Sequence, residues 1–136
     1  VPSRLLNVKA ERIDQTIAMA AMMTANNLPV KAIIALTESG STAQWLSRVR
    51  SPAPIIALSP NRQSLRRTHL FQHVKPLFFP PLNEPDETTT SVTKRALAHV
   101  RDAGLISVGD RVLVTLGDQH GVRGGTNTLK IMTVEA

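Results

Sequence analysis

Residues 11–28 carry apolar side chains at Ile13, Ile17, Ala20, Ala21 and Leu28, with Met19, Met22 and Met23 widening the stripe. That spacing predicts an amphipathic helix, which Asn26, Asn27 and Pro29 bring to an end. Residues 31–36 (KAIIAL) are continuously apolar rather than alternating, the pattern of a strand buried on both faces. After the polar run TESGST, residues 41–49 place Ala43, Leu46 and Val49 on one helical face. Arg48 and Arg50 then suit the negative end of that helix before Pro52. Residues 54–59 (PIIALS) repeat the buried-strand pattern, residues 60–69 predict a turn and a short basic helix, and residues 75–79 a third strand. The Pro-rich, acidic run PPLNEPDETTT is expected to be a surface loop leading into a helix over residues 88–103, stopped by Gly104. Residues 111–116 (RVLVTL) form a fourth strand and residues 127–134 (NTLKIMTV) a fifth, alternating Leu129, Ile131 and Thr133 against Lys130 and Met132.

Only eleven residues, 116–126, lie between the last two strands. A parallel crossover needs about a dozen residues or more, so these strands are expected to form an antiparallel hairpin. The remaining strands alternate with helices, which predicts a parallel arrangement. The expected fold class is therefore α/β: a three-layer domain with a five-stranded, mostly parallel sheet, an antiparallel last strand and helices on both faces. An order of 3-2-1-4-5 would put strands one and four side by side where the winding reverses, and ligands bind in the crevice at such a point.

At 136 residues the chain matches one domain of typical size. Its 42% apolar and 19% charged residues can bury an aliphatic core, since aromatics are only 3%. No apolar run reaches the length of a membrane span, and the start VPSRLL lacks signal-peptide character, so a soluble protein is expected. The chain opens on Val1 without an initiator Met, as expected of a position inside a longer chain. The absence of cysteine excludes disulfides and Cys-type zinc sites and fits a reducing compartment; the expected location is the cytoplasm. The net charge of +6 is uneven: between Ser39 and Asn83 there is no acid, while Arg48, Arg50, Arg62, Arg66, Arg67 and Lys75 are all positive. A basic middle suits an anionic partner, whether nucleic acid, a phosphorylated metabolite or an acidic protein surface, and equally a solvated face.

The run Thr37-Glu38-Ser39-Gly40-Ser41-Thr42 falls between a buried strand and a helix start. Its hydroxyls can donate to oxyanions, Gly40 lets the backbone approach closely, and the helix N-terminus favours an anion. The same residues also suit a plain helix cap, and Glu38 opposes an anion unless it turns away. A second candidate is the segment 117–126, GDQHGVRGGT, with four of the seven glycines in nine positions. It reads as a flexible turn or as a lid with Arg123, accompanied by His120, facing residues 37–42. Neither a GxxxxGK[ST] nor a GxGxxG pattern occurs. His69 and His73 have the spacing of a helical metal pair but lack a third ligand and read as surface histidines. Trp45 reads as helix packing, and Asp110 and Asp118 as turn residues. No acid-base pair, metal set or activated nucleophile emerges, so the residues describe a binding domain without chemistry of its own.

Taken together, AIIALTESGSTA, APIIALS, VGDRVLVTLGD and GGTNTLKIMTVE, in that order, resemble the C-terminal domain of pyruvate kinase, and ERIDQTIAMAAM resembles the helix leading into it. The resemblance spans nearly the whole chain. It implies one regulatory domain over residues 1–136, residues 1–10 being a leading segment, with the catalytic barrel outside this chain. There phosphoenolpyruvate and ADP would give pyruvate and ATP with Mg²⁺ and K⁺; this domain itself would hold no cofactor, have no catalytic residue and be inactive alone. By matching motif, Thr37, Ser39, Gly40, Ser41 and Thr42 correspond to the loop holding an effector phosphate. Gly117, His120, Gly121, Arg123, Gly124, Gly125 and Thr126 correspond to the effector loop that closes over it. The family also implies a homo-oligomer, a tetramer in the parent.

One departure bears on specificity. Members activated by fructose 1,6-bisphosphate present a tryptophan and an arginine near the start of the long helix to hold the second phosphate, where this sequence has PPLNEPDETTT. The GDQHGVRGGTNT loop looks instead like that of bacterial isozymes activated by AMP or sugar monophosphates, so the expected effector carries one phosphate. The rival readings are a basic nucleic-acid-binding module, a free-standing phosphometabolite-binding domain or enzyme, and a relic without an effector. With no Tyr and only three Phe, the chain lacks the stacking row that single-stranded nucleic acid requires, which makes nucleic acid an unlikely partner.

Overall fold

A computed structural model describes residues 12–50, 52–81, 88–117 and 125–136. In chain order these form α1 (Ile13–Asn27), β1 (Ala32–Leu36), α2 (Ser41–Arg48), β2 (Ile55–Ser59) and α3 (Arg62–Thr68). There follow β3 (Val74–Phe78), α4 (Thr89–Asp102), β4 (Arg111–Leu116) and β5 (Thr128–Thr133). The five strands make one sheet in the order β3-β2-β1-β4-β5. The first four are parallel, and β5 runs antiparallel to β4. The fold class, the strand order and the closing hairpin are those expected from the sequence.

The continuous apolar runs have the physical basis expected of parallel strands covered on both sides. Along β1, Ala32 and Ile34 face one layer and Ile33 and Ala35 the other. On the first side they join Ile56, Leu58, Val112 and Val114 against Val92, Ala96, Leu97 and Val100 of α4. On the second they join Ile55, Ala57 and Leu113 against Ala18 and Ala21 of α1 and Ala43 and Leu46 of α2. Small residues dominate this second layer, so α1 and α2 can approach the sheet closely. Fully burying an Ile or Leu is worth roughly 1.5–3 kcal/mol, and the central strands bury Ile33, Ile34, Ile55, Leu58, Leu113 and Leu116 almost completely.

Helix α1 is rotated from the phase that its larger apolar residues suggest. Its buried residues are Asp14, Ala18, Ala21 and Met22, whereas Ile13 is 66% exposed. The close packing with α2 selects the alanine face, and it brings a carboxylate inward at the helix start. Helix α4 begins as its residue types suggest: Thr88 accepts from the Ser91 amide at 3.0 Å while Ser91 Oγ accepts from the Thr88 amide at 2.9 Å, a reciprocal capping box. Gly104, at φ +81°, follows its C-cap Ala103. The sheet edges differ from the centre. Pro76 sits in the edge strand β3, where a missing N–H is tolerated, and Ile131 on the edge strand β5 is 53% exposed. Among the described residues no helix is long and apolar enough to cross a membrane.

Candidate functional site

Because β1 lies between β2 and β4, the winding of the sheet reverses at its carboxyl end, and the chain leaves β1 there through residues 37–40. The loop is tied in from three directions. The Thr37 amide donates to the Leu58 carbonyl at 2.9 Å, the Gly40 amide donates to Thr37 Oγ1 at 2.9 Å, and Ser64 Oγ of α3 donates to the Glu38 carbonyl at 2.6 Å. Gly40 is then the N-cap of α2 at φ +84°, and no side chain caps that helix. A Cβ at this position would lie 3.2 Å from Thr68 Cγ2, in a backbone conformation that side chains disfavour. The hydroxyl-rich run therefore does not serve as an ordinary cap. The amides of Thr42 and Ala43 have no partner among the described residues, and they sit at the positive end of the helix dipole.

These residues border an open cleft of about 460 Å³ lined by Arg12, Ser39, Gly40, Ser41, Gln44, Arg67 and Phe71. Of the expected phosphate-loop residues, Ser39, Gly40 and Ser41 line this cleft, whereas Thr37 and Thr42 do not. Thr37 shapes the loop, and Thr42, almost fully buried, donates to Thr126 Oγ1 at 2.7 Å. Glu38 is likewise absent from the lining. Gly117, Gly125 and Thr126 close the base of the second candidate loop: a Cβ on Gly117 would come within 2.5 Å of the Gly125 carbonyl oxygen, so only glycine fits there. His120, Gly121, Arg123 and Gly124, together with Asp118, lie outside the described residues.

Sequence reasoning missed the cleft's cations and the carboxylate behind it. Arg12 precedes α1 and Arg67 comes from α3, so only the fold brings them together; the acid-free stretch around Arg67 was the one sequence signal. Asp14 is fully buried. Its Oδ2 accepts from Arg12 Nη2 at 2.9 Å and from Ser41 Oγ at 2.7 Å, and its Oδ1 accepts from the Gln15 amide at 2.9 Å. Arg67 meets no carboxylate among the described residues. Among the described residues the cleft thus offers a guanidinium without a carboxylate partner, two helix amides without partners and a Ser39 hydroxyl, a donor set suited to an oxyanion.

The weaker candidates take structural places. His69 and His73 are exposed, and no group of three or more potential ligands is assembled for a metal ion among the described residues. Trp45 packs against the alanine-rich layer with Arg48 stacked 5.0 Å from its ring centre. Asp110 Oδ2 accepts from the Ser107 amide at 2.8 Å, as a turn residue does.

Comparison with known proteins gives a consistent picture. The family model described as pyruvate kinase, alpha/beta domain, matches residues 15–132. The chain is 40% identical over 138 residues to pyruvate kinase II of Salmonella typhimurium, a match covering 99% of this chain and 28% of that protein. It is 38% identical over 130 residues to a pyruvate kinase of Buchnera aphidicola, covering 95% of this chain and 26% of the relative. A pyruvate kinase of Staphylococcus epidermidis is 37% identical over 118 residues, covering 87% of this chain and 20% of its own length. The chain spans about a quarter of the length of the curated relatives it matches.

Proposed function

The chain belongs to the pyruvate kinase family, as its α/β domain, and on that premise we propose that it is the regulatory domain of a pyruvate kinase, binding the phosphate of an effector in the cleft at residues 39–41. The observation that carries this reading is the start of α2. Gly40 replaces a capping side chain there, and among the described residues two amides are left without partners and Arg67 faces the same cleft without a carboxylate. An ordinary helix start satisfies the amides of its second or third residue with a Ser or Thr hydroxyl; here Ser39 Oγ reaches only the Ser41 amide and Thr37 Oγ1 the Gly40 amide. One unpaired arginine favours a ligand with one phosphate, AMP or a sugar monophosphate.

The parent protein would transfer the phosphoryl group of phosphoenolpyruvate to ADP in glycolysis. Mg²⁺ and K⁺ would belong to that reaction, and the regulatory proposal does not depend on them. Regulation would follow from linkage. An effector that binds one quaternary state of a cytoplasmic tetramer better than another shifts the population by that differential affinity alone. Within this domain, Ser39, Arg67 and the α2 amides bind and orient the phosphate, while Thr42 and Thr126 join the helix start to the base of the glycine-rich loop.

Thermal unfolding in the presence of AMP, ribose 5-phosphate, glucose 6-phosphate, fructose 1,6-bisphosphate and sulfate tests the reading. A ligand at about 100 times its Kd adds roughly 2.7 kcal/mol of stability. Stabilisation by the monophosphates that is lost in Ser39→Ala and Arg67→Ala is the expected result. Far tighter binding of the bisphosphate would refute the one-phosphate site.

A further inference from the structure

Two neighbouring hydroxyls of the cleft present opposite hydrogen-bonding character. Ser41 Oγ lies 2.7 Å from Asp14 Oδ2. A carboxylate only accepts, so the Ser41 hydrogen is directed to Asp14 and away from the cleft. Asp14 cannot readily turn aside, because it is fully buried and held by Arg12 on the same oxygen and by the Gln15 amide on the other. Ser39 is set the other way. Its Oγ accepts from the Ser41 amide at 3.3 Å, which leaves its own hydrogen for an acceptor in the cleft.

A sulfate dianion, or the dianionic head of a simple phosphate monoester, offers acceptors alone. Ser39, the α2 amides and Arg67 can serve it, but the lone pairs of Ser41 cannot. They require a donor beside the anionic head, and a hydroxyl on the group esterified to the phosphate supplies one. Asp14 also neutralises Arg12, which limits the charge the cleft can compensate. Resting on the effector-site reading above, we propose that Ser41 accepts a hydrogen bond from a ligand hydroxyl near the phosphate. Asp14 is the positioning residue that makes Ser41 an acceptor, so the cleft selects hydroxyl-bearing phosphate monoesters over simple anions.

The test is a pair of calorimetric titrations, with ribose 5-phosphate and with methyl phosphate, at about pH 8, where both are dianions because the second phosphate pKa is near 6. The readout is the change in their affinity ratio on mutation. Ser41→Ala should lower it by about two- to tenfold, the range of one net hydrogen bond, through ribose 5-phosphate alone. Ser41→Thr, which keeps the hydroxyl, should leave it unchanged. Asp14→Asn should tighten methyl phosphate, since it removes a negative charge and lets an amide N–H turn the Ser41 hydrogen into the cleft; the ratio falls again. If Asp14 merely ties α1 to α2, its replacement weakens both esters equally, and that result overturns the inference. So does an unchanged ratio in Ser41→Ala. Binding of neither ester, or binding indifferent to both Ser39→Ala and Arg67→Ala, overturns the effector site itself and the inference with it.

Discussion

Thr42 and Thr126, 84 residues apart in sequence, share a buried hydrogen bond of 2.7 Å between their hydroxyls. The contact joins the first turn of α2 to a residue two positions before β5, so the cleft and the base of the glycine-rich segment are physically linked. A hydroxyl pair buried this deeply stabilises little by its presence, but each partner is costly to leave alone.

Thr42→Val is therefore expected to destabilise the domain by about 1–3 kcal/mol, the cost of orphaning a buried hydroxyl. The double variant with Thr126→Val should recover much of that loss. Denaturant unfolding of the two single variants and the double variant measures the coupling directly.

Gly40→Ala places a side chain at φ +84°, 3.2 Å from Thr68 Cγ2. The left-handed conformation alone costs roughly 1–2 kcal/mol. Unfolding experiments should show at least that loss, together with weaker ribose 5-phosphate binding because the α2 amides shift. Full stability in Gly40→Ala would mean that the loop relaxes freely.

The sheet's centre and its edge should respond differently. Ile34 is fully buried between β2 and β4, and Ile131 is 53% exposed on β5. Ile34→Ala is expected to cost about 2–5 kcal/mol, and Ile131→Ala within about 0.5 kcal/mol of nothing. Chemical denaturation midpoints distinguish the two.

Thr88 isolates the contribution of one local signal. Thr88→Ala removes one half of the capping box on α4 and should cost about 0.5–2 kcal/mol without changing affinity for any phosphate ester. A change in ligand affinity would show that α4 takes part in the site.

The layers were legible because parallel strands advertise themselves. KAIIAL, PIIALS and RVLVTL are apolar at consecutive positions, and a segment is apolar on both faces only where both are covered. The short span between β4 and β5 likewise dictated a hairpin. The rotation of α1 was not legible, because the alanine face that packs is less hydrophobic than the Ile13 and Ile17 positions beside it. Nor could Asp14 be read as buried: its burial depends on Arg12 and on Ser41, 27 residues away. Ser39, Gly40 and Ser41 could be placed from local chemistry, since the strand and helix flanking them are local too. Arg67 could not be placed, because α3 reaches the cleft only through the tertiary fold.

The phosphate-binding claim is tested most directly by following backbone amide resonances during titration with ribose 5-phosphate. The account predicts that the largest shifts fall on residues 39–43, where the α2 amides await an anion, with the Arg67 guanidinium perturbed in parallel and both effects absent in Ser39→Ala. Shifts confined to the exposed arginines Arg62 and Arg66, with residues 39–43 unmoved, would contradict it and leave a diffuse basic surface in place of a built site.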